Sequence, residues 1–406
     1  FRLALLFVLR HASGTGDIVS ALGSAPVAVR IALPALGGLL AGVIGMLLAR
    51  APPSHGVGDV MEAVVLGRVH LSMRVTLLKS LASWLAIAAG GSIGREGPLI
   101  QFGGAVGKFV SDRFRLSNGQ ARILIAAGTA AGFAAAYNTP FAAVLFVLEV
   151  VAGVVVLETM VPALIATVLA TALTRVVVGS GPVYGERAFV LRSPLELLAF
   201  AGLGIGAALV AQGFMRLLSL GEKCFRRPAF PLPWRPAVGG LVAGLFIAGL
   251  PEVAGNGYEP LNAVLDARFS AAFVAVLLVG KALATTASVS SGSPGGVFTP
   301  SLLLGGCAGF LYALALERAA GVVIGPAGGY ALVGMAAVTA ATTHAPLMAA
   351  VMAFELSGDY AIVLPLVLAT AVSTATSRAL RKDSIYTAEL SDRGAWELAR
   401  ERMMGE

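Results

Sequence analysis

Long apolar segments that carry almost no charge follow one another along the chain, and short polar stretches separate them. About 20 apolar residues cross a bilayer as a helix, so this pattern predicts an all-α protein that crosses the membrane many times. The segments cover residues 31–49, 80–93, 123–148, 159–174, 197–215, 236–251, 282–316, 319–354 and 360–377.

Several of these segments are too short for a full crossing, and two are long enough to fold back. Glycine and proline interrupt many of them, as at Asn138-Thr139-Pro140. Nonhelical backbone at membrane depth is tolerated only where it is buried in protein or lines a cavity. Short and broken segments in matching places therefore indicate a protein that transports a substrate.

An internal repeat relates the two halves of the chain. We predict a single transmembrane domain over residues 1–406, with repeat halves at about 30–190 and 195–390. If each half crosses the membrane an odd number of times, the repeat is inverted. At shifts of 202 or 206 positions, the aligned pairs are 34–42 with 236–244, 94–98 with 296–300, Lys79 with Lys281, Pro140 with Pro346, and Glu149 with Glu355.

The composition agrees with a membrane protein and argues against other classes. Of the 406 residues, 57% are hydrophobic and 13% are charged, whereas soluble domains carry about 25% charged residues. The net charge of +7 lies mostly in short flanks and the tail, which indicates cytoplasmic loops and no nucleic-acid partner. The two cysteines and four histidines lack ligand spacing, and no nucleotide or redox motif is present, so we expect neither a metal nor a cofactor.

Glu96 is the acidic residue that this pattern singles out, because residues 80–93 and 99–107 on either side carry no charge. A carboxylate at membrane depth is costly and usually functional. The flanking glycines let the backbone leave helical geometry, and Pro98 suits the first turn of a new helix. The N–H groups at that helix start favour an anion, so we predict an anion site with a titratable acid beside it. The alternative is a charged residue in a short loop outside the membrane.

Two further glycine-flanked breaks, at residues 55–58 and 296–300, also precede sequence that is compatible with a helix. Helix N-termini that converge on one point replace part of an anion's hydration with backbone N–H groups. They do so without a full positive charge, which lets the ion leave again.

These motifs resemble the CLC family of chloride channels and proton/chloride antiporters. Residues 94–98 (Gly-Arg-Glu-Gly-Pro) reproduce the gating-glutamate motif of that family, and residues 295–300 look like its second filter motif. Tyr386 looks like the pore tyrosine, and the resemblance runs from about Ile31 to Leu390. It implies a CLC-type inverted repeat of broken, tilted helices that forms a homodimer in the cell (inner) membrane. We expect the first helix and much of the second to be missing at the N-terminus.

The resemblance also implies roles for individual residues. Glu96 would occupy an anion position when it is ionised and move away when it is protonated or displaced. The N–H groups of Val297 and Phe298 and the Tyr386 hydroxyl would hold the central anion. The remaining residues expected around the anion are His55, Gly56, Arg95 and Gly97, of which Arg95 would contribute its backbone and a salt bridge.

Two positions depart from the pattern of the family. His55 stands where a serine usually lines the inner anion site. Its imidazole could donate to the anion, or it could turn away and leave the backbone to form the site, and a slip of one residue would place Ser54 there. Val150 stands at the position of the inner proton glutamate, and valine cannot carry a proton.

We therefore expect passive chloride conduction gated by Glu96, with proton-coupled antiport of chloride or a related anion as the alternative. The expected partners are chloride, possible counter-transported protons, the lipid bilayer and a second copy of the chain. A more distant alternative is an intramembrane enzyme, which would normally need a partner group for its acid, and none is suitably spaced.

Overall fold

Helices form nearly all of the regular structure in the part of the chain that is described. The computed structural model describes residues 16–48, 56–67, 71–154, 156–179, 193–226, 233–320 and 325–392, together with a few single positions between these ranges. The helices of the first half are α1 (Ile18–Ser24), α2 (Val27–Leu47), α3 (Val57–Val65), α4 (Met73–Ala88), α5 (Glu96–Arg113), α6 (Asn118–Tyr137), α7 (Pro140–Phe146), which continues as a π-helical turn (Val147–Ala152), and α8 (Leu157–Val178).

The second half repeats this order of helices after a long connecting helix. The helices are α9 (Glu196–Phe225), α10 (Trp234–Gly249), a 3-10 turn (Pro251–Val253), α11 (Tyr258–Leu265), α12 (Ala271–Ser290), α13 (Phe298–Ala320), α14 (Ala327–Thr343), α15 (Pro346–Ser357), α16 (Val363–Leu380) and α17 (Thr387–Asp392). Six of the described helices, α2, α8, α9, α12, α13 and α16, are long and apolar enough to cross a membrane. The prediction of an all-α polytopic protein is confirmed.

The predicted break at Asn138-Thr139-Pro140 is present, and it recurs in the second half. Helix α6 ends before Asn138, which adopts φ 59°, and α7 begins at Pro140. His344, 206 positions later, also has φ 59°, and α15 begins at Pro346. A left-handed residue ends a helix, and a proline suits the first turn of the next one, so the same local chemistry produces both breaks.

Contacts between α2 and α10 are reciprocal between the halves. A Cβ atom at Gly38 would overlap the carbonyl oxygen of Pro236, and one at Gly240 would overlap the carbonyl oxygen of Pro34. These two pairs are related by the shift of 202 positions. Each half therefore provides both the glycine of one contact and the proline of the other. Such a reciprocal contact requires a two-fold axis, as at the interface of a symmetric dimer.

The direction of the two helices fixes the orientation of that axis. Gly38 contacts Pro236, whereas Gly42, four residues further along α2, contacts Pro233, which comes before Pro236 in the sequence. Helices α2 and α10 therefore run antiparallel. Helix α2 is long enough to span the bilayer. An axis that exchanges antiparallel membrane helices lies in the plane of the membrane, which confirms the inverted repeat.

We predict that Gly38→Val destabilises the protein, whereas Gly45→Val in the same helix does not. A valine at position 38 meets backbone of α10, but a Cβ at Gly45 has no neighbour within 4 Å. Overpacking of a well-packed site typically costs about 1–3 kcal/mol, and backbone leaves little room for relief. Thermal unfolding in detergent measures the difference. Equal melting temperatures for the two variants would contradict the close contact of α2 with α10.

Candidate anion site

Two of the glycine-flanked breaks meet on the two-fold axis. The N–H of Gly94 donates to the carbonyl of Gly296 at 2.7 Å, and the N–H of Gly296 donates to that of Gly94 at 2.8 Å. A Cβ on either glycine would overlap the carboxylate of Glu96. Glycine at both positions therefore makes room for an acidic side chain between the two breaks.

The Glu96 carboxylate lies on the N-terminus of α13. Its Oε1 accepts from the N–H of Phe298 at 2.8 Å and from the N–H of Thr299 at 3.2 Å. Its Oε2 accepts from the hydroxyl of Thr299 at 3.0 Å, and the residue is 1% exposed. The first N–H groups of a helix have no partner within that helix, and they carry the positive end of its dipole. The carboxylate thus occupies a position that suits an anion.

A second hydroxyl stands behind Thr299. Tyr137 is the last residue of α6, and its hydroxyl lies 2.9 Å from Thr299 Oγ1. The ring of Tyr137 also packs against Phe298, with centroids 5.6 Å apart. The break after α6 therefore directs a polar atom towards the start of α13.

Gly56 and Gly97 are in close contact at the starts of α3 and α5. Gly56 has φ 93°, and a Cβ there would lie 2.6 Å from the carbonyl oxygen of Gly97. Positive φ is accessible to glycine at little cost, so this residue permits both the turn and the approach. His55 and Ser54 lie outside the described residues.

Arg95 is held by contacts other than the expected salt bridge. Its guanidinium lies over the ring of Tyr258, 5.2 Å from the centroid, and its Nη2 donates to the carbonyl of Ala136 at 3.2 Å. No ion pair of Arg95 is present within the described ranges of the chain. Because this contact with Tyr258 is a cation–π interaction, it keeps the charge near Glu96 without neutralising it.

Tyr386 connects to Phe298 through aromatic rings. Its ring contacts Phe146 edge-on at 6.2 Å, Phe146 stacks on Phe133 at 4.6 Å, and Phe133 meets Phe298 edge-on at 5.5 Å. Tyr386 is 4% exposed and Val297 is 7% exposed. The tyrosine and the start of α13 therefore border the same aromatic cluster.

The acids next to the inner proton position cap helices of the opposite half. Glu149 accepts from the N–H groups of Leu347 and Met348 at the start of α15, at 3.2 and 2.7 Å. Glu355 makes the equivalent bonds at the start of α7, so the two caps are related by the two-fold axis. Val150 follows Glu149 in the π-helical turn and is 6% exposed. These hydrogen bonds indicate a structural role for both acids.

Thr299, Tyr137 and Asp59 were not among the predicted site residues. Thr299 belongs to the motif at 296–300, so its position could have been noticed, but its hydroxyl partner lies 162 residues away. Buried Asp59 near the start of α3 accepts from Lys79 Nζ at 2.9 Å and from Gln101 Nε2 at 3.0 Å. These contacts tie α3 to α4 and α5, beside Gly56.

The fold and this site define a class: a multi-pass membrane protein built from an inverted repeat, with a carboxylate on a helix N-terminus inside it. The chain belongs to the CLC family, because a model described as "Voltage gated chloride channel" matches residues 37–378. The resemblance drawn from the motifs is confirmed, and the chain is an integral membrane protein of a family that transports anions.

Named relatives and solved structures cover nearly the whole chain. The chain is 38% identical over 382 residues to a "Putative chloride channel protein ClcB-like" of Ralstonia nicotianae, covering 92% of this chain and 88% of the relative. It is 35% identical over 381 residues to the "Voltage-gated ClC-type chloride channel ClcB" of Salmonella typhimurium, covering 92% and 89%.

Two solved antiporters have similar structures. A slow cyanobacterial Cl-/H+ antiporter matches with a TM-score of 0.82 at 26% identity, covering 97% of this chain and 93% of that one. A CLC-type fluoride/proton antiporter shares the fold, with a TM-score of 0.70 at 23% identity and coverage of 90% and 97%.

We predict that Lys79→Met destabilises the protein by about 3–5 kcal/mol, because it leaves the buried Asp59 carboxylate without its cation. Adding Asp59→Asn to this variant should restore most of the loss. The matched control is Lys108→Met, which removes a more exposed ion pair with Asp112 and should cost less than about 1 kcal/mol. Thermal unfolding in detergent compares them. A Lys79→Met protein as stable as the Lys108→Met protein would contradict a structural role for the buried pair.

Proposed function

We propose that this protein conducts chloride passively across the cell (inner) membrane and that Glu96 is its gate. The observation that carries the proposal is the position of the Glu96 carboxylate on the N–H groups of Phe298 and Thr299. A halide accepts the same hydrogen bonds as a carboxylate oxygen. Chloride can therefore replace the side chain at this position, and the side chain can in turn exclude chloride.

Protonation opens the same gate. An ionised carboxylate forms charge-assisted hydrogen bonds, which are about twice as strong as neutral ones. Once Glu96 is protonated, its hold on the α13 N-terminus weakens and chloride competes more successfully. Flux through the pathway should therefore rise as the pH falls.

We assign the remaining predicted residues to a path that leads inward from Glu96. We assign the central anion to the N–H groups of Val297 and Phe298 and to the Tyr386 hydroxyl, supported by the aromatic cluster that joins Tyr386 to Phe298. We assign His55 and Gly56 to the inner side. The start of α3 contacts Gly97 in the first turn of α5, so the N-termini of α3 and α5 point at neighbouring positions. Arg95 raises the local potential from its place over Tyr258.

Each subunit of the proposed homodimer would have its own pathway. All three hydrogen-bond donors to Glu96 come from the same chain. A second copy is therefore not needed to complete the site.

Val150 favours a channel over an antiporter. A proton that enters from the inner side needs a titratable group there, and this position carries a buried valine. Its neighbour Glu149 is engaged by two backbone N–H groups at the start of α15. Proton-coupled antiport is the second candidate, since a solved structure similar over nearly the whole chain is a Cl-/H+ antiporter.

We predict that Glu96→Gln and Glu96→Ala abolish the pH dependence of chloride efflux from proteoliposomes. The parent protein should show efflux that rises with acidification, whereas both variants should conduct at a constant, higher rate. The control is Glu222→Gln, a partly exposed acid on α9 that pairs with Arg226, which should behave like the parent.

Proton movement separates the two candidates in the same vesicles. A channel dissipates the chloride gradient without moving protons uphill. Uphill proton uptake driven by a chloride gradient would replace the channel with the antiporter. The absence of any chloride flux would contradict transport altogether, and a Glu96→Gln variant that keeps the pH profile of the parent would contradict the gate.

A further inference from the structure

The anion position at the start of α13 has a side-chain donor in addition to its backbone N–H groups. The Thr299 hydroxyl lies 3.0 Å from Glu96 Oε2, and Thr299 is 1% exposed. An ionised carboxylate only accepts hydrogen bonds, so the hydroxyl proton of Thr299 points at Glu96. A threonine hydroxyl has one proton to donate, and here it is committed to the gate.

The Tyr137 hydroxyl fixes this orientation. It lies 2.9 Å from Thr299 Oγ1, and since the only proton of Thr299 is directed at Glu96, Tyr137 must be the donor in that contact. Tyr137 therefore holds the threonine with its proton towards the anion position. Donation by the tyrosine also polarises the threonine hydroxyl, which strengthens the bond it makes in turn.

The environment makes this hydroxyl consequential. Thr299 is 1% exposed, and beside it the ring of Tyr137 packs against Phe298, and that of Phe298 against Phe133. If Glu96 leaves, the Thr299 hydroxyl remains buried, polarised and without an acceptor. An unsatisfied buried donor is costly, so the position requires another acceptor.

We propose that Thr299, positioned by Tyr137, is a ligand of two alternating occupants, the ionised Glu96 carboxylate in the closed state and the transported anion in the open state. The proposal rests on the gating function of Glu96 and deepens it. The Thr299 hydroxyl stabilises whichever negative group occupies the position. Tyr137 touches neither occupant and acts as a positioning residue.

Other titratable and charged groups lie near Glu96, and their effect on the pH profile must be separated from that of Glu96. They are Arg95, Tyr137 on α6, Tyr184, Tyr258 at the start of α11, and Lys281 on α12. Glu96→Gln removes the titration of Glu96 alone. Any pH dependence that remains in that variant belongs to another group, Lys281 among them.

The first test compares the pH profile of chloride efflux in proteoliposomes for the parent, Thr299→Val, Thr299→Ser and Tyr137→Phe. Loss of a donor weakens the hold of the α13 start on Glu96, so the gate should open at a higher pH. Half-maximal efflux in Thr299→Val should therefore move to higher pH by about one unit. Thr299→Ser restores the donor and should match the parent, whereas Tyr137→Phe should show a smaller shift in the same direction.

Thr339→Val is the matched control for this series. Thr339 is buried, and its hydroxyl donates to the carbonyl of Met335 within α14 rather than to Glu96. Its pH profile should be that of the parent. A Thr299→Val profile equal to the parent's, in a parent protein that carries chloride, would overturn the proposal. If Thr299→Val does not fold, an unshifted Tyr137→Phe profile has the same consequence.

The second test measures chloride binding directly, by calorimetry on purified protein in which Glu96→Ala has vacated the position. Adding Thr299→Val should raise the chloride dissociation constant about three- to tenfold, and adding Thr299→Ser should not. Equal affinity with and without Thr299→Val would overturn the role of Thr299 as an anion ligand. Because this readout needs no flux, it stays informative if the parent fails to transport chloride, which would instead contradict the proposed function.

Discussion

The structure depends on how the Glu96 carboxylate is solvated away from water. A charged group inside a membrane protein costs several kcal/mol unless protein dipoles replace its hydration. Three donors at the start of α13 do so here, two backbone N–H groups and one hydroxyl. These N–H groups have no acceptor within their own helix. When Glu96 leaves, they require another acceptor, so under the proposed function the closed gate and the anion position are one and the same place.

The two-fold relation of the halves explains why a glutamate reaches this place. A shift of 202 positions aligns Glu96 with Phe298, so the residue that accepts and the residue that donates are repeat equivalents. The bridge between Gly94 and Gly296 brings both chain breaks to the axis. The backbone scaffold is symmetric, but the side chains at the equivalent positions differ. One half therefore provides the acid and the other the helix N-terminus that binds it.

The sequence predicts the features that depend on local chemistry. The break at Asn138 follows from proline and left-handed geometry within three residues, and the repeat follows from aligned glycines and prolines. The sequence does not predict contacts that depend on tertiary packing. Glu149, for example, accepts from two N–H groups of α15 in the other half, 198 and 199 residues away. The hydroxyl contact between Tyr137 and Thr299 was missed for the same reason.

The cations near the pathway show why its donors are neutral. Lys281 is buried and donates to the carbonyls of Val253 and Gly255 at 3.0 and 2.8 Å. Lys79 is paired with Asp59, and Arg95 lies over Tyr258. Each positive charge is thus engaged by another group, and none donates directly to Glu96 among the described contacts. Under the proposed function, the cations contribute to the potential that attracts an anion, while the N–H and hydroxyl groups described at the start of α13 contact the occupant. Contact through neutral dipoles keeps the occupant exchangeable, which conduction requires.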